Sequence, residues 1–272
     1  PRRGWRFDDR APIHLMRRHR LLLQLGLALL LLALIALLIN NLTVNLIRTG
    51  RGLGFGWLSR PAGFALAETA LPYAPSDSYL WALTIGWLNS LKVILAGLVL
   101  ATLLGVAAGA ARNSGNRLLR SLAGTYVALI RQVPLLLQLL FWYFVAFLGL
   151  PSMPVGGLIQ LSNQGIQLLG LNLSVEFCAV LTGLTVFTGA SIAEIVRGGI
   201  NAVPRGQWEA FRSLGLNEGL GLRRIVLPQA LPAILPALTS QYLNLAKNST
   251  LAIAVGYADL YAVSDTTITQ TG

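Results

Sequence analysis

The chain has 272 residues, of which 54% are hydrophobic and 11% charged, and its mean hydropathy is +0.64. So apolar a composition excludes a soluble domain with a polar surface and indicates a membrane protein. The net charge of +11 comes from 21 Lys and Arg against 10 Asp and Glu. These basic residues flank apolar runs and no nucleic-acid-binding motif accompanies them, so we expect no nucleic-acid partner.

Long apolar runs predict an all-α membrane protein with at least five spans, because about 20 apolar residues cross about 30 Å of hydrocarbon. The first predicted span is 21–39, after a basic arm at 1–20. A signal peptide is the alternative, but residues 40–43 offer no small-x-small cleavage site. Residues 40–82 are rich in Gly, Pro and aromatic residues and are predicted to form an external loop. The other apolar runs are 83–111, 121–148, 174–196 and 229–255.

Basic residues are concentrated in the amino-terminal arm and in the loops after the second and fourth predicted spans. Because Lys and Arg accumulate in cytoplasmic loops, this pattern predicts a multi-pass protein of the bacterial plasma (inner) membrane with its amino terminus in the cytoplasm. The lipid bilayer is then its immediate surrounding. Residues 149–173 carry no charge, as expected of a loop on the external side.

Residues suited to catalysis or metal binding are scarce. Neither lysine, Lys92 or Lys247, follows a glycine, so the sequence holds no G-x-x-x-x-G-K phosphate-binding loop and predicts no ATPase site. The only histidines, His14 and His19, lie in the basic arm, and the single Cys178 excludes an internal disulfide. We therefore predict a chain that is not an enzyme and has no catalytic residue, metal site or bound cofactor.

Four small residues recur at intervals of four in the second predicted span: Gly97, Ala101, Gly105 and Gly109. Such a stripe lets another helix approach closely. Packing within the chain and a seam between two subunits are both compatible with the pattern.

The loop before the last apolar run, at about 204–228, predicts a short amphipathic helix. Trp208, Phe211 and Leu214 recur at intervals of three, Pro204 can open the helix, and Gly215 can reverse the chain after it. Periodicity alone leaves open whether this helix only packs on its own bundle or contacts another protein.

Here the residues resemble a known family. Glu209-Ala210-Phe211, then Gly215, nine residues and Ile225-x-Leu227-Pro228 look like the EAA loop of ABC importer membrane subunits, with Phe211 where the family usually has alanine. The segments RQVPLLLQ at 131–138, AEIVRGGI at 193–200 and SQYLNLAKNSTLA at 240–252 resemble the polar amino-acid (His/Glu/Gln/Arg/opine) permeases. Residues 52–55 and 62–64 look like the general L-amino-acid branch. The resemblance runs from about residue 40 to residue 261.

The resemblance implies a type I ABC importer fold and inward transport of L-amino acids by alternating access. It implies a second permease subunit in a homo- or heterodimer, two ATP-binding subunits that hold ATP and Mg, and a periplasmic or extracellular amino-acid-binding protein. It also implies a further helix after an external segment at 256–272. The residues expected to couple this chain to the ATP-binding subunit are Gln207, Trp208, Glu209, Ala210, Phe211, Leu214 and Gly215.

Polar residues inside spans are expensive and therefore suggest a substrate pathway. The predicted pathway residues are Gln138, Glu176, Gln241, Asn244, Lys247, Asn248 and Ser249. The predicted gate or interface residues are Arg131, Glu194 and Arg197. Two alternatives stay open: Lys247 can snorkel to the outer interface, and Glu194 can simply pair with Arg197 three residues on.

Two other classes of protein compete with the importer subunit. A stand-alone channel or ion-coupled carrier normally needs acids or broken helices within the membrane, and Glu176, Glu194 and Asp259 are the near candidates. A structural membrane anchor would not account for the amphipathic cytoplasmic helix.

Overall fold

The computed structural model describes residues 13–48, 54–69, 71–149, 153–155, 159–162, 165–168 and 171–271. The chain forms two compact units, residues 1–57 and 58–272. Most of the predicted basic arm, residues 1–12, lies outside the described residues. So do residues 52 and 53, which belong to the segment that looks like the general L-amino-acid branch.

The first unit consists mainly of one helix, α1 (Ile13–Arg48), of 36 residues. This helix extends beyond the predicted span 21–39 into the segment predicted as external loop. Its central part is apolar on all sides rather than along one stripe, as expected of a helix surrounded by lipid.

The second unit is a bundle of helices, and serine residues cap the amino-terminal ends of two of them. The α-helices are α2 (Tyr79–Arg112), α3 (Arg117–Gln132), α4 (Leu135–Phe141), α5 (Val175–Asn201), α6 (Arg205–Ser213), α7 (Glu218–Gly221), α8 (Leu227–Asn248) and α9 (Leu260–Thr271). A π-helix, Trp142–Phe147, continues α4, and another, Leu222–Val226, joins α7 to α8. Short 3-10 helices cover Phe55–Ser59 and Ser249–Val255. Ser78 and Ser174 cap α2 and α5 by accepting from Trp81 N at 3.2 Å and Phe177 N at 3.0 Å.

The centre of the bundle is the close pair α2 and α5. A Cβ built on Gly105 would lie 2.5 Å from Ile192 Cβ, and one built on Gly109 would lie 2.7 Å from Val196 Cβ. Only glycine permits this approach of the two helices. At these two positions the small-residue stripe therefore packs within the chain, which is one of the two alternatives that the sequence left open.

The segment predicted as one span at 121–148 is instead broken. The axes of Arg117–Gln132 and Leu135–Phe147 meet at 105°, because Pro134 cannot continue the helix and favours an extended conformation at Val133. The Gln138 amide compensates the break: its Nε2 donates to the carbonyls of Ile130 at 2.8 Å and Val133 at 2.9 Å. These carbonyls would otherwise lack partners at the helix end.

The uncharged loop before α5 contains a small sheet that the sequence analysis did not predict. Four antiparallel strands, β1 (Met153–Val155), β2 (Ile159–Ser162), β3 (Gly165–Leu168) and β4 (Leu171–Leu173), pair in chain order. Leu168 stands opposite Ile159, and Leu173 stands opposite Ile166. Apart from this sheet and the irregular segment before α2, the described residues of the second unit are mainly helical, and the predicted helical class is confirmed.

Three helices among the described residues are long and apolar enough to cross a membrane: Arg20–Arg48, Tyr79–Arg112 and Val175–Asn201. The bent pair Arg117–Gln132 and Leu135–Phe147 makes four if it is one span. Five spans were predicted. The predicted span at 229–255 is not among the three or four. Prolines and amide side chains lower the mean hydropathy of α8, and the helix changes to 3-10 geometry at Ser249.

The carboxy-terminal segment differs from the external segment predicted at 256–272. Residues 260–271 form α9, whose first turn is capped by Asp259 Oδ1 accepting from Ala262 N at 2.8 Å. The helix packs along α2: Leu260 N donates to Ser90 Oγ at 2.9 Å, and Tyr79 Oη donates to Gln270 Oε1 at 3.2 Å.

Candidate coupling surface and substrate pathway

The predicted amphipathic helix exists as α6. Pro204 precedes it, and it ends at Leu214, where Gly215 takes a left-handed backbone with φ of 72°. Gly215 N donates to Arg212 O at 2.9 Å and Leu216 N to Phe211 O at 3.1 Å, so these bonds close the helix end. A residue with a Cβ is strained in this conformation, which explains a glycine at this turn.

The inner face of α6 is anchored by Phe211, which is fully buried. Its ring packs in one hydrophobic cluster with Val226 and Ala230 at the start of α8. The half-buried Trp208 lies beside it, with ring centroids 5.7 Å apart. Phe211 therefore packs α6 against the turn at Gly221 and the π-helix Leu222–Val226 that leads into α8, and its side chain does not face outward.

The outer face of α6 is exposed and mixed in character. Its exposed predicted coupling residues are Gln207, Glu209, Ala210, Leu214 and Gly215. The Leu214 side chain is 75% exposed, although it is a large apolar group. Gln207 Oε1 accepts from Gln229 Nε2 at 3.0 Å, which holds this face against the start of α8.

Arg212 connects α6 to α7. Its Nε donates to Glu218 Oε1 at 2.7 Å, and its guanidinium lies 5.6 Å from the Phe211 ring centroid. The hydrogen bond that Arg212 donates to the Glu218 carboxylate raises the pKa of Arg212 above its ordinary value. Because both partners are exposed, this pair orients the turn more than it stabilises the fold.

The predicted gate residues Glu194 and Arg197 form an ion pair on α5, and Arg112 at the end of α2 joins it. The pairing alternative considered for Glu194 is thus present in the structure. Nothing in the sequence indicates the contribution of Arg112, which lies 82 positions away. The three charges tie the carboxy-terminal ends of α2 and α5 together, while Arg131 is exposed in the last turn of α3.

The predicted pathway residues on α8 differ in their surroundings. Asn244 and Lys247 are exposed, Gln241 and Asn248 are half-buried, and Ser249 is buried with its hydroxyl donating to Ala246 O at 2.9 Å. Their helix ends here and continues as the 3-10 helix Ser249–Val255.

The other two predicted pathway residues lie on neighbouring elements. Gln138 is buried at the break before α4. Leu139 of α4 shares a hydrophobic cluster with Ala252, so the break in the third predicted span adjoins the break after α8. Glu176 lies in the first turn of α5, where it accepts from Tyr143 Oη at 3.3 Å.

One charged cluster was missed by the sequence analysis. Lys92 on α2 pairs with Glu68 of the external loop and lies 4.2 Å over the centroid of the Phe177 ring, while Ser174 Oγ donates to the same carboxylate. Asn89 Nδ2 donates to Glu68 O and to Ala258 O, both at 2.9 Å. These partners are far apart in the chain, so no local spacing reveals them.

Comparison with known proteins identifies the family. Residues 101–269 match the family model "Binding-protein-dependent transport system inner membrane component". The general L-amino acid transport system permease protein AapQ of Rhizobium johnstonii is 32% identical over 86% of this chain and 79% of its own length. The glutamate/glutamine/aspartate/asparagine transport system permease protein BztB of Rhodobacter capsulatus is 30% identical over 100% of this chain and 90% of its own length.

A solved structure agrees with these relatives. A crystal structure of an amino acid ABC transporter with histidines matches with a TM-score of 0.56 and 30% identity, over 71% of this chain and 79% of that chain. The type I importer fold expected from the sequence is therefore confirmed. The chain is a multi-pass membrane protein that belongs to the family of binding-protein-dependent transport system inner membrane components, and within it to the permease subunits of amino-acid ABC transporters.

Proposed function

We propose that this chain forms the membrane path of an ATP-driven importer of L-amino acids and moves its substrate inward by alternating access. The alignments with AapQ and BztB cover 79% and 90% of those two proteins. Their names support amino acids as the substrate of this chain. Their two names differ in breadth, so we propose the substrate class and not one amino acid.

The observation that carries the proposal is that α6 has one exposed face and one buried face. Its outer face, with Gln207, Glu209 and Leu214, would dock on an ATP-binding subunit, and its inner face packs through Phe211 on the segment that leads into α8. A motion imposed on α6 would then reach α8 through the π-helix Leu222–Val226, which continues into α8. Transport would follow as a shift between two packings of the bundle.

The partners follow from this assignment. Because the sequence has no phosphate-binding loop, ATP and Mg would be held by two separate ATP-binding subunits. A second permease subunit, identical or related, would complete the path, and a periplasmic or extracellular amino-acid-binding protein would deliver the substrate. The amino terminus would lie in the cytoplasm, on the side of α6.

The path itself would run past the adjoining helix breaks at Pro134 and Ser249. Discontinuous helices with exposed backbone groups are typical of substrate sites in transporters. Polar residues near these breaks or at the outer start of α5 would contact the substrate in transit: Gln138, Glu176, Gln241, Asn244, Lys247, Asn248 and Ser249. Arg131, Glu194 and Arg197 would act at the cytoplasmic gate or at the interface with a partner.

Uptake of radiolabelled L-amino acids into proteoliposomes tests the proposal. The vesicles contain this chain with its ATP-binding subunits and partner permease, and the binding protein is added outside. Uptake should require ATP and should stop when the ATP-binding subunits are omitted. Full uptake by this chain alone, without nucleotide, would contradict the proposal and favour the stand-alone carrier.

A further inference from the structure

Arg131 lies at mid-depth in the bundle, although it is charged. Val127, one turn before it, packs in one cluster with Ala190 of α5, and beyond the bend a Cβ built on Gly183 of α5 would lie 2.6 Å from Leu139 Cδ2. Arg131 is therefore level with the part of α5 between residues 183 and 190. At about 1.5 Å per residue, this part begins about 12 Å from the first residue of α5 and ends about 16 Å from the last. Since α5 is long and apolar enough to cross a membrane, Arg131 lies within the thickness of the membrane.

The Arg131 side chain is exposed, and no ion pair among the described residues includes it. By contrast, Arg112 and Arg197 share the Glu194 carboxylate. A charged side chain at this depth is costly when lipid surrounds it, and in membrane proteins such residues face the bundle interior, a water-filled cavity or another charged group. The flank of α3 that carries Arg131 is therefore not a lipid-facing one.

This flank of α3 is open in front of the guanidinium. Ala128, which precedes Arg131 by three residues and shares its face of the helix, is exposed, and a Cβ built on Gly124 would meet nothing within 4 Å. Small side chains therefore occupy the two turns before Arg131. Pro134, at the 105° bend, follows three residues later and is exposed as well. A solute that passes the bend can thus approach the guanidinium from outside the chain.

We infer that Arg131 binds the α-carboxylate of the amino acid in transit. The inference rests on the proposed function, and it makes Arg131 a substrate contact rather than a residue of the gate or of an interface. A guanidinium presents its N–H donors in a planar fork that matches the two oxygens of a carboxylate.

A contact with the α-carboxylate also fits the breadth of the substrate class. Every L-amino acid carries this group whatever its side chain, so the contact would hold the substrate without selecting among amino acids. A carboxylate of the second permease subunit has the same chemistry, and the experiment must therefore separate these two sources.

Two variants of Arg131 separate charge from geometry. Arg131→Gln removes the charge and keeps one hydrogen-bond donor group, whereas Arg131→Lys keeps the charge and loses the planar fork. The matched control is Arg117→Gln, which removes an exposed arginine from the first turn of the same helix. Like Arg131, Arg117 takes part in none of the ion pairs found in the described part of the chain.

Binding is measured on the purified complex of both permease subunits and the ATP-binding subunits, without the binding protein. One ligand is the amino acid among L-glutamine, L-glutamate and L-arginine that the wild-type complex takes up, and the other is its α-carboxamide, which lacks the carboxylate charge. The wild type should prefer the free acid about 10-fold to 100-fold, as expected for hydrogen bonds to a charged group, and Arg131→Gln should reduce this preference to about twofold or less. Arg131→Lys should keep part of the preference, and Arg117→Gln should keep all of it.

Several results would overturn the inference. A full preference for the free acid in Arg131→Gln would do so even if both ligands bound more weakly, because the lost affinity would not come from the carboxylate. Loss of the second permease subunit from the Arg131→Gln complex, with the preference intact, would assign Arg131 to the interface. If Arg131→Gln does not assemble at all, Arg131→Lys decides, and an undiminished preference there counts against the carboxylate contact.

Failure of the inference and failure of the proposed function are distinguishable. If the wild-type complex takes up none of the three amino acids, the proposed function falls together with the inference. If it takes one up and Arg131→Gln keeps the wild-type preference, only the inference falls.

Discussion

The Phe211 ring lies against the backbone of Gly221, so closely that a Cβ built on Gly221 would be 2.5 Å from Cε2 of the ring. This contact joins the exposed helix α6 to the turn α7 and, through the same cluster, to Val226. Phe211 thus anchors α6 from inside.

Phe211→Ala should uncouple the complex by loosening the inner face. Removing a buried phenylalanine costs about 3–5 kcal/mol of stability because it leaves a cavity. We expect α6 to remain able to bind the ATP-binding subunit but to transmit its motion poorly, so amino-acid uptake per ATP hydrolysed should fall. Uptake and ATPase activity are measured on the same proteoliposomes. Ser213→Ala, at an exposed position of the same helix outside the predicted coupling set, is the control. An unchanged uptake-to-ATPase ratio in Phe211→Ala would contradict the anchoring role.

Glu209→Arg should disrupt the outer face without affecting the fold. Glu209 is exposed, so its substitution should change the unfolding temperature little, whereas a reversed charge in a docking surface should weaken assembly with the ATP-binding subunit. Co-purification and uptake are measured together. Ser213→Ala serves as the control. Normal assembly and normal uptake in Glu209→Arg would place the docking surface elsewhere.

Gly215→Pro should abolish the turn after α6. Proline fixes φ near −65°, and Gly215 needs a φ of 72°. The helix end would have to rearrange, so we expect correct membrane insertion with loss of coupled uptake. Gly215→Asn is the matched control, because asparagine tolerates the left-handed conformation better than other residues. Equal uptake in the proline and asparagine variants would show that this turn is not required.

Gly105→Val should destabilise the α2–α5 pair. Its side chain would collide with Ile192, and overpacking typically costs about 1–3 kcal/mol or more where backbone is involved. A thermal unfolding midpoint in detergent reports the loss. Gly124→Ala on α3 is the counterpart, since a Cβ there meets nothing within 4 Å. That variant should be neutral or stabilising by up to about 1 kcal/mol through helix propensity. Equal midpoints for the two variants would contradict the close packing.

Lys247→Met and Lys92→Met separate a pathway lysine from a structural one. Lys247 is exposed, so its loss should lower uptake without lowering the unfolding midpoint. Lys92 pairs with Glu68, whose side chain is only 12% exposed, so its loss should destabilise the fold by about 1–3 kcal/mol by leaving that carboxylate without its cation. Unchanged uptake in Lys247→Met would remove Lys247 from the pathway.

Local patterns in the sequence, namely the spacing of apolar residues and the positions of proline and glycine, predicted the features that depend on residues close together in the chain. Pro204, Gly215 and the three-residue spacing of Trp208, Phe211 and Leu214 predicted α6, because a helix start, an amphipathic face and a helix end are each decided within a few residues. The i, i+3 spacing predicted the pair of Glu194 with Arg197 for the same reason. A long apolar run predicted α2 and α5.

Features that depend on contacts between distant segments could not be predicted in this way. Phe211 was assigned to the docking surface, and its burial depends on Gly221 and Val226, which only the fold brings together. The 105° bend arises at Pro134, yet hydropathy alone joined the residues on both sides into one span. Asp259 was named only as an acid that a stand-alone carrier could use, and its burial as the cap of α9 depends on the packing of α9 along α2.

The close contact of α2 with α5 limits how this permease can move. Two helices that touch through glycines at Gly105 and Gly109, and are clamped at one end by Arg112, Glu194 and Arg197, have no free space in which to slide or separate. We therefore expect any opening and closing of the path to leave this pair rigid and to bend the chain at the interruptions at Pro134 and Ser249. A disulfide engineered between α2 and α5 should then leave the transport cycle intact.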